Sequence, residues 1–426
     1  MDFPRHPLSW LAITVLLCDA TCANAGAHSG ILALGRGPSS DAACALLADR
    51  YVVCWGDIFR DGTTDTTPQL VQSVFRAEDV ALGSEFGCAG LLNGTASCWG
   101  AGNVGQLGDG TFASRGQAEP VGSSTPLEGV VEIAAGEEHA CAATTSGNVY
   151  CWGYNDYSQI GNYTEASDAV GAPVLVVEHD SMSNPPLASV SWLALGGNTS
   201  CAMQDFKGIC WGQDTDAQIG NGTAGPPLNT PTSVVKGGMS FDMISGSMTV
   251  GQAHACALVS DSRPYEVWCW GANGFGQLGN TSMSGTDFEG VPYNQSPSQV
   301  IHAGGGGLVD VASVSAGADF ACALSSDHTV TCWGRNDSGQ LGDHFISSDH
   351  SSTPVGVYDN AGALLGSIIE VESGRKHVCA LSAGSDVFCW GDNSLGQIGG
   401  VPGGWTSTPN RVNIDKTLFT DDFDDD

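Results

Sequence analysis

The stretch HACAATTSGNVYCWG (His139–Gly153) contains the pattern that decides the fold: a cysteine, a turn, and the tripeptide Cys-Trp-Gly. The pattern occurs seven times along the 426 residues of the chain. Short β-rich runs separated by Gly, Ser, Thr and Asn are typical of antiparallel strands joined by tight turns. Each occurrence therefore predicts a β-hairpin. The cysteine pairs are Cys44 and Cys54, Cys88 and Cys98, Cys141 and Cys151, Cys201 and Cys210, Cys256 and Cys269, Cys322 and Cys332, and Cys379 and Cys389.

The spacing of the cysteines predicts one disulfide across each hairpin. If Cys141 faces Cys151 in an antiparallel pair, their Cβ atoms lie about 4.5–5.5 Å apart, close to the separation that a disulfide requires. Residues 145–147 then form the loop, and we expect its last residue, Gly147, to be left-handed, as we expect for Gly94 in the second hairpin. Zinc is the competing interpretation, but it favours Cys-x2-Cys spacing and four converging ligands, which the sequence lacks.

Strand alternation places neighbouring residues on opposite faces of a hairpin. Trp152 therefore points away from the face that carries Cys151. We expect one of the two side chains to pack against one neighbouring unit and the other against the opposite neighbour. The disulfides then take the place of large apolar side chains in a chain with 59 glycines.

A second motif, Gly-Gln-Leu-Gly or a close variant, follows six of the seven tryptophans. One interpretation is a phosphate-binding loop, but no Lys-Ser or Lys-Thr follows the glycines. Sixfold recurrence favours an architectural role, with Leu or Ile in the core, glycines in turns and Gln bonded to the backbone. The six copies are residues 105–108, 158–161, 217–220, 276–279, 339–342 and 396–399.

A third motif, Pro-x-x-Val, completes each unit, as in Pro68–Val71 and Pro409–Val412. Proline is compatible with the edge or the first residue of a strand, where no ladder N–H is needed. Each unit thus supplies about four strands. The first unit departs from the pattern, because no Gly-Gln-Leu-Gly follows Trp55.

Several motifs in fixed order resemble the regulator of chromosome condensation repeat family, here in a secreted, cysteine-rich variant. The resemblance runs from about Ile31 to Ile414. It implies an all-β fold, a seven-bladed β-propeller with about four strands per blade, whose radial arrangement leaves only short, protected edges. The chain starts its repeats at Ile31 without a Pro-x-x-Val strand and ends them with one. We therefore predict that the C-terminal strand completes the first blade and closes the ring.

The ends of the chain lie outside the repeats. The apolar run from Leu8 to Cys18 is too short to span a bilayer and precedes small residues, so residues 1–25 are expected to form a signal peptide, with a membrane anchor or a buried helix as the alternatives. We expect the propeller to occupy residues 26–414 and an acidic, disordered tail to occupy residues 415–426. All fourteen cysteines outside the signal peptide belong to the seven pairs, as expected for an oxidising compartment.

The formal net charge of −32 restricts the class of partner. A nucleic-acid binder uses Lys and Arg to displace counterions from phosphates, so no nucleic-acid partner is expected. The charge gives solubility, and it would also steer the chain toward a basic partner. We expect a monomer without a membrane span in its mature form, with an unidentified, basic extracellular protein as its partner.

Three histidines, His139, His254 and His377, occupy the same slot two residues before the first cysteine of a pair. They could gather at the axis as metal ligands or general bases. Phe86 and Phe320 fill the same slot in other units, which favours a packing role. Asn and Asp cluster after the tryptophans, but no stretch matches a calcium loop, so turn formation is the simpler interpretation.

No catalytic motif stands out in the sequence. A nucleophile elbow, His-Glu-x-x-His and a phosphate loop are all missing, so we predict no enzyme, no catalytic or metal residues and no cofactor. Candidate N-glycosylation sites are the Asn-x-Ser/Thr asparagines, which would mark solvent-facing loops. They are Asn93, Asn162, Asn198, Asn221, Asn280, Asn294 and Asn336.

The resemblance implies several functions, because the family includes an intracellular exchange factor for a small GTPase, extracellular receptor domains and a secreted enzyme inhibitor. The signal peptide and paired cysteines favour a secreted or cell-surface protein-binding scaffold that uses its rim loops. Nucleotide exchange, and a secreted enzyme inhibitor or hydrolase, are the alternatives. The longest inter-motif spans, 161–196 and 279–317, contain candidate aromatic anchors. These are Trp192, Tyr163, Phe288 and Tyr293.

Overall fold

Seven antiparallel sheets follow one another along the chain. A computed structural model describes residues 30–58, 65–163, 169–178, 183–259, 264–287, 290–344 and 349–414. The predicted signal peptide and acidic tail lie outside these residues. The described residues form 29 strands, arranged as one sheet for each predicted unit. The predicted all-β class and the seven blades are confirmed.

The strands are numbered in chain order. Blade 1 contains β1 (Ile31–Leu34), β2 (Ala42–Leu47), β3 (Val52–Gly56) and β4 (Asp65–Leu70). Blade 2 contains β5 (Ala77–Leu82), β6 (Phe86–Leu91), β7 (Ala96–Gly100) and β8 (Arg115–Pro120). Blade 3 contains β9 (Val130–Ala135), β10 (His139–Thr144), β11 (Val149–Gly153) and β12 (Val170–Leu175). Blade 4 contains β13 (Val190–Gly196), β14 (Thr199–Gln204), β15 (Lys207–Gly212) and β16 (Leu228–Ser233).

The last three blades continue the series. Blade 5 contains β17 (Thr249–Val250), β18 (His254–Val259), β19 (Glu266–Ala272), β20 (Gly285–Thr286) and β21 (Pro292–Gln299). Blade 6 contains β22 (Val311–Ala316), β23 (Phe320–Ser325), β24 (Val330–Arg335) and β25 (His350–Gly356). Blade 7 contains β26 (Ile368–Ser373), β27 (His377–Ser382), β28 (Val387–Asp392) and β29 (Trp405–Arg411).

Each blade runs outward from its first strand. The first strands of neighbouring blades contact one another around the axis, and the Pro-x-x-Val strand is the outer strand of each four-stranded sheet. Blade 5 adds the short strand β20 beyond β21. We call the end that carries the loops between second and third strands the hairpin rim. The opposite end, which carries the loops after the first and third strands, is the collar rim.

One disulfide joins the second and third strands of every blade. The seven bonds connect the pairs expected from the spacing, with Cα atoms 4.0–4.2 Å apart. Cys141 lies directly opposite Cys151 in the ladder. Closing a loop of about eleven residues stabilises a fold by about 2–3 kcal/mol in the chain-entropy account. Gly94 (φ 78°) and Gly147 (φ 80°) are left-handed, as predicted.

The two faces of each blade pack against different neighbours. Cys141 and Cys151 of blade 3 share a buried cluster with Trp211 of blade 4. Trp152 of blade 3 instead packs with Leu107 of blade 2. The predicted division of the cysteine and tryptophan faces is therefore confirmed.

The Gly-Gln-Leu-Gly motif joins six of the seven blades to the next one. The indole N–H of Trp152 donates to the carbonyl of Gln106 in the preceding blade, and the six such bonds measure 2.8–3.0 Å. A Cβ on left-handed Gly108 would lie 2.8 Å from that indole nitrogen, so the motif requires glycine there. The Gln side chain accepts a backbone N–H two residues upstream, at 2.8–3.0 Å. The predicted roles of turn, core residue and backbone ligand are confirmed.

Ring closure differs from the prediction. β29 pairs with β28 of its own blade, and β1 pairs with β2. The expectation that the C-terminal strand completes the first blade is wrong. In the first unit the strand after the Cys-Trp-Gly strand already carries the Pro-x-x-Val motif, so Pro68 lies in the outer strand of blade 1.

The ring closes by packing and by hydrogen bonds between blades 7 and 1. Val412 and Ile414, which follow β29, share a buried cluster with Ile31 and Trp55. The Trp55 indole donates to the carbonyl of Gln397 at 3.0 Å, which is the same bond that joins the other blades. The C-terminal segment thus contributes side chains to the closure and leaves the hydrogen-bonded ladders within their blades.

Candidate functional site

Carboxylates line the axis, where the first strands of neighbouring blades belong to separate sheets and form no continuous ladder. The third residue of the strand accepts a backbone N–H from the next blade in three places. Asp79 accepts from Ile133 at 3.2 Å, and Glu132 accepts from Leu193 at 3.1 Å. Glu370 accepts from Leu34 across the ring closure at 3.1 Å. These carboxylates satisfy backbone donors that would otherwise lack a partner.

Arg36 lies at the centre of this carboxylate group. Its guanidinium is 2.7 Å from Asp79 and 3.2 Å from Glu132, and it lies 4.5 Å from the ring centroid of Trp192. Burial raises the pKa of Glu132 to about 7, although Arg36 opposes the shift. Burial also raises the pKa of Glu372 to about 7.

The axis is a packed structural centre. Each of the charged groups described there is engaged by the backbone or by another side chain. Two small cavities flank the ring closure, with volumes of about 10 and 40 Å³. They have room for water molecules, whereas a small-molecule site needs several hundred Å³.

The three histidines lie within different blade junctions. His139, His254 and His377 are all buried, and burial lowers their pKa values to about 3, 4 and 4. His139 Nε2 lies 2.8 Å from the hydroxyl of Ser200 in the next blade. A Cβ on Gly136 would lie 2.1 Å from the His139 ring, so this glycine makes the space for the slot. The packing interpretation is confirmed, and in the described part of the chain no three His, Cys, Asp or Glu residues form a metal-binding group.

The Asn and Asp residues after the tryptophans form turns, as predicted. Asn155 Oδ1 accepts the backbone N–H of Ile160, the core residue of the next motif, at 3.1 Å. The same bond recurs in four other blades at 3.1–3.4 Å. Asp214 occupies this position in blade 4, and burial raises its pKa to about 7.

Backbone hydrogen bonds pass from blade to blade around the collar rim. Glu137 N donates to Gly197 O at 2.9 Å, and Arg375 N donates to Ser40 O at 2.8 Å across the ring closure. The side chains are also engaged, because Gln252 donates to Glu137 at 2.8 Å. The inner part of the collar rim is therefore a rigid, mutually bonded surface.

On the hairpin rim, the loops differ in sequence from blade to blade, although one disulfide closes every hairpin. Its exposed apolar side chains include Leu92 at the tip of blade 2 and Phe75 before blade 2. Phe206 in blade 4 is 63% exposed, and Met239 in the connection that follows blade 4 is 73% exposed. Exposed aromatic and methionine side chains are favoured at protein interfaces.

Phe206 is the most unusual residue of this rim. It forms a two-residue loop with Asp205, and both have positive φ, 63° and 50°. Such turns favour Asn and Gly, and a bulky residue in this conformation is strained. The carbonyl of Phe206 accepts the N–H of Met243 at 2.8 Å, and Lys207 pairs with Asp242 at 3.0 Å, so the loop is held firmly.

Sequence reasoning missed Phe206. The available signal was the shorter spacing of Cys201 and Cys210, which are nine residues apart, where five of the other hairpins have ten. A two-residue loop without glycine follows from that spacing. The spacing does not predict the direction of the phenyl ring of Phe206, because that direction depends on the neighbouring connection, residues 236–245.

The predicted aromatic anchors are dispersed. Trp192 lies in the first strand of blade 4, half-buried, and donates to Met248 O at 2.9 Å, so it serves packing at the axis. Tyr163 is exposed on the collar rim and Tyr293 is half-buried in β21. Phe288 lies outside the described residues. The span 161–196 contains β12 and the span 279–317 contains β21, and each of these strands connects the two rims. The residues of each span are therefore divided between both rims.

The seven candidate glycosylation asparagines also differ in environment. Asn280 and Asn336 are buried, with exposures of 2% and 0%. Asn162, Asn198, Asn221 and Asn294 are half-buried, and Asn93 is exposed at a hairpin tip. The sequence pattern therefore overstates the number of positions at which a folded chain has room for a glycan.

Comparison with protein families finds two profiles, both described as "Regulator of chromosome condensation (RCC1) repeat". One matches residues 93–143, 146–203, 266–324 and 327–381, and the other matches residues 130–159, 247–277, 311–340 and 368–397. Together they cover more than half of the chain and fall within blades 2 to 7.

Curated relatives share about a quarter of their residues with this chain. Ultraviolet-B receptor UVR8 of Arabidopsis thaliana is 25% identical over 354 residues, which cover 72% of this chain and 76% of the receptor. E3 ubiquitin-protein ligase HERC2 of Mus musculus is 25% identical over 292 residues, covering 67% of this chain. The match spans only 5% of that ligase.

Solved structures show the same fold. Yeast RCC1 (Prp20), solved bound to Kap60, superimposes with a TM-score of 0.66 at 20% identity, covering 86% of this chain and 84% of the yeast protein. Human WBSCR16 gives a TM-score of 0.65 at 19% identity, covering 82% and 85%. At this level of identity the likeness establishes the architecture alone.

Proposed function

The chain belongs to the regulator of chromosome condensation (RCC1) repeat family, and on this premise we propose that it is a secreted or cell-surface scaffold that binds a protein partner through its hairpin rim. The observation that carries the proposal is Phe206, a strained aromatic residue exposed at the tip of a disulfide-bonded hairpin. Backbone strain and exposed aromatic anchors both concentrate at functional surfaces.

The disulfides support the extracellular part of the proposal. All fourteen bonded cysteines are buried, which protects the bonds from exchange with external thiols. Structural disulfides persist in oxidising compartments and are rare in the cytosol. No helix among the described residues is long and apolar enough to cross a membrane.

The chemistry of the hairpin rim defines the partner that would fit it. Phe206 and Met239 offer apolar contact area, and Asp49, Asp205 and Asp327 carry acidic groups at three hairpin tips. The net charge of −32 steers basic surfaces toward the chain. We propose a protein partner with an apolar pocket bordered by Lys or Arg.

The experiment captures partners with the purified, disulfide-bonded chain. Extracellular and cell-surface proteins of the source organism are passed over the immobilised wild type and over the Phe206→Gly variant, and bound proteins are quantified by mass spectrometry. The proposal expects one stoichiometric partner whose affinity falls at least about tenfold in the variant, the usual size of an anchor effect.

Phe206→Gly also separates binding from folding. Glycine adopts the left-handed conformation without strain, so the variant is expected to be as stable as the wild type or more stable. Phe112→Ala is the matched control, because Phe112 is 55% exposed on the collar rim and its loss is expected to leave binding unchanged. Equal capture by wild type and Phe206→Gly would refute the hairpin rim as the contact surface. Free thiols in the native protein would refute its extracellular location.

A further inference from the structure

Two of the seven Asn-x-Ser/Thr sequences differ in geometry from the other five, and we infer that Asn93 and Asn221 are the N-glycosylation sites of this protein. The inference rests on the proposed secretory route and requires a eukaryotic host. Both sites have the sequence Asn-Gly-Thr and lie in surface turns on different rims, with Asn93 exposed at the hairpin tip of blade 2 and Asn221 half-buried in the collar-rim loop of blade 4, beside the exposed Gly222 and Thr223.

The side-chain amide has the same orientation at the two sites. Asn93 Oδ1 accepts the backbone N–H of Thr95 at 3.0 Å and its hydroxyl at 2.8 Å. Asn221 Oδ1 accepts the equivalent groups of Thr223 at 2.9 and 2.7 Å. Because the oxygen is engaged within the turn, the amide nitrogen Nδ2 points outward, and no described residue accepts a hydrogen bond from it.

Glycine at the second position keeps the space beside the amide open. Gly94 and Gly222 are left-handed, with φ values of 78° and 88°. Even a Cβ added at either position would have no neighbouring atom within 3.5 Å. A large glycan on Nδ2 therefore extends into solvent without displacing the turn.

The chemistry joins this nitrogen to an activated sugar donor, and the transferase of the host recognises the Thr two residues later. Nδ2 forms a bond to the anomeric carbon of an oligosaccharide carried on a lipid pyrophosphate. The bond from that carbon to the pyrophosphate oxygen breaks, the lipid pyrophosphate leaves, and Nδ2 loses one proton. No oxidation or reduction is involved.

Two of the other sites are closed in the folded chain. Asn280 Nδ2 donates to Leu278 O, Ser298 Oγ and Gln299 O at 2.8–3.1 Å. Asn336 is completely buried, and its Oδ1 accepts the N–H of Leu341. A glycan on Asn280 would break the bonds of its Nδ2 to residues 278, 298 and 299, and a glycan on Asn336 would need space that its buried position does not have.

The remaining three sites are also engaged by the fold. Asn198 donates through Nδ2 to Gln213 at 3.3 Å on the collar rim. Asn294 lies in β21, opposite Gly271. Asn162 takes part in a hydrogen bond or another interaction. It directly follows the motif at residues 158–161 and lies close to residues 164–168, which are outside the described part of the chain. None of the three combines an outward Nδ2 with an open glycine turn.

The test places the full chain in the secretory route of a eukaryotic cell with a heterologous signal sequence, so that it does not depend on the native leader. The secreted protein is incubated in heavy-oxygen water with and without peptide N-glycosidase, and labelled aspartate that forms only with the enzyme marks a glycosylated asparagine, because Asn-Gly also deamidates without it. We expect label at Asn93 and Asn221 and none at the other five asparagines, and label at Asn162, Asn198 or Asn294 would contradict the assignment of two sites. Label at either buried site in monomeric, folded protein, or no label at both proposed sites, would overturn the inference.

Paired variants give a second readout. Thr95→Ala and Thr223→Ala are each expected to remove one glycan, while Thr95→Ser and Thr223→Ser keep it. Failure of the native leader to direct secretion would count against the proposed function and leave the site assignment standing. Retention of both glycans in the two Ala variants would contradict the assignment itself.

The two glycans also bear on the contact surface. A glycan on Asn221 covers part of the collar rim of blade 4, and one on Asn93 covers the hairpin tip of blade 2. The hairpin tip of blade 4, which carries Phe206, remains open. The glycan positions are thus compatible with a partner that docks on that tip.

Discussion

The junction between blades 1 and 2 and the junction between blades 2 and 3 bury the same residue type in different bonding states. Trp152, which faces blade 2, donates its indole N–H to Gln106 O at 2.9 Å. Trp99, which faces blade 1, is equally buried, but its indole N–H has no hydrogen-bond partner in the described part of the chain. The tryptophan therefore performs two separable tasks, filling volume and bonding to the preceding blade.

The cause of the difference is the missing Gly-Gln-Leu-Gly motif in blade 1. Ile58 supplies the apolar residue of the junction, only three positions after Trp55, and packs in the same cluster as Trp99. In the part of the chain that the structure describes, no carbonyl replaces that of the missing Gln. An unsatisfied buried donor costs about 1–3 kcal/mol. Trp99 therefore stabilises its junction less than each of the six hydrogen-bonded tryptophans stabilises its own.

A compensating bond lies nearer the axis. Arg36 N donates to Val80 O at 3.1 Å, and Leu82 N donates to Arg36 O at 2.7 Å, which forms a short parallel bridge between blades 1 and 2. No other isolated bridge among the described residues joins neighbouring first strands. Among the described residues, the junction that lacks the tryptophan bond is therefore the one that has this two-bond parallel bridge, whereas other junctions, such as that of blades 3 and 4, have single backbone bonds.

The largest expected effect concerns a third junction, the ring closure. Deleting residues 405–426 removes β29, Val412 and Ile414, and with them the packing against Ile31 and Trp55. We expect the cooperative unfolding transition to be lost, measured by circular dichroism during heating. Deleting only residues 415–426 is the control and should leave the transition unchanged. A sharp transition at the parental temperature after the longer deletion would show that the closure does not depend on this segment.

The direct test of the comparison replaces each tryptophan with phenylalanine. Both substitutions remove similar volume, but Trp152→Phe also loses the bond to Gln106, whereas Trp99→Phe removes an unsatisfied donor. Trp152→Phe is expected to lower the free energy of unfolding by about 1–3 kcal/mol more than Trp99→Phe, measured by urea titration. Equal losses would mean that the indole bond contributes nothing and that only the packed volume matters.

A similar contrast holds within the histidine slot, where His254 is buried and Phe320 fills the same position in blade 6. Burial lowers the folded-state pKa of His254 to about 4, below the unfolded value of about 6.5. The unfolded chain binds more protons between these values, so the native state loses stability as the pH falls from about 6.5 to 4. His254→Phe is expected to gain about 2 kcal/mol relative to wild type at pH 5, with a smaller change at pH 8.

Glu372, at the axis, is the control for this prediction, because burial shifts its pKa upward, whereas burial shifts the pKa of His254 downward. Burial raises the folded pKa of Glu372 from 4.5 to about 7, so the folded chain binds more protons in this range and this group favours the native state as the pH falls from about 7 to 4.5. Glu372→Gln should therefore remove the stabilisation that the wild type gains from this group as the pH falls. His254→Phe should remove the destabilisation that the wild type suffers from the histidine over the same range. Parallel pH profiles for wild type and His254→Phe would contradict the histidine assignment.

The smallest expected effect comes from Asp214, which replaces the Asn found at this turn in four other blades. Its carboxyl is buried and its pKa is raised to about 7 by that burial, so ionisation at higher pH opposes folding. Asp214→Asn keeps the bond to Ile219 N and removes the charge. We expect stabilisation of about 0.5–2 kcal/mol at pH 8, seen as a higher melting temperature, and a smaller gain at pH 5. Asp156→Asn serves as the matched control, because Asp156 is exposed in the corresponding turn of blade 3.

Features that depend on local spacing were predictable. The pairing of Cys141 with Cys151, the left-handed Gly147 and the opposite faces of Cys151 and Trp152 all follow from a hairpin of fixed length. The role of Ile160 as a core residue follows from the recurrence of its motif. In each case the partners lie within one unit or in equivalent positions of successive units.

Features that depend on which blades become neighbours were not predictable. The sequence shows Gln106 and Trp152 as two recurring residues, but the bond between them is made by a main-chain carbonyl across a junction. The carboxylates of Asp79 and Glu132 had no motif that marked them as partners of backbone N–H groups. The outer position of β29 was misassigned for the same reason, since ring closure is a property of seven assembled blades.

By itself the amino-acid sequence determined the repeating hairpin, its disulfide and the number of blades, because these depend on residues close together in the chain. The tertiary structure alone decided how the ring closes, which buried polar groups are satisfied at each junction, and that Phe206 and Asn93 face solvent. These outcomes depend on distances between residues far apart in the chain, and such distances are fixed only when the blades pack around the axis.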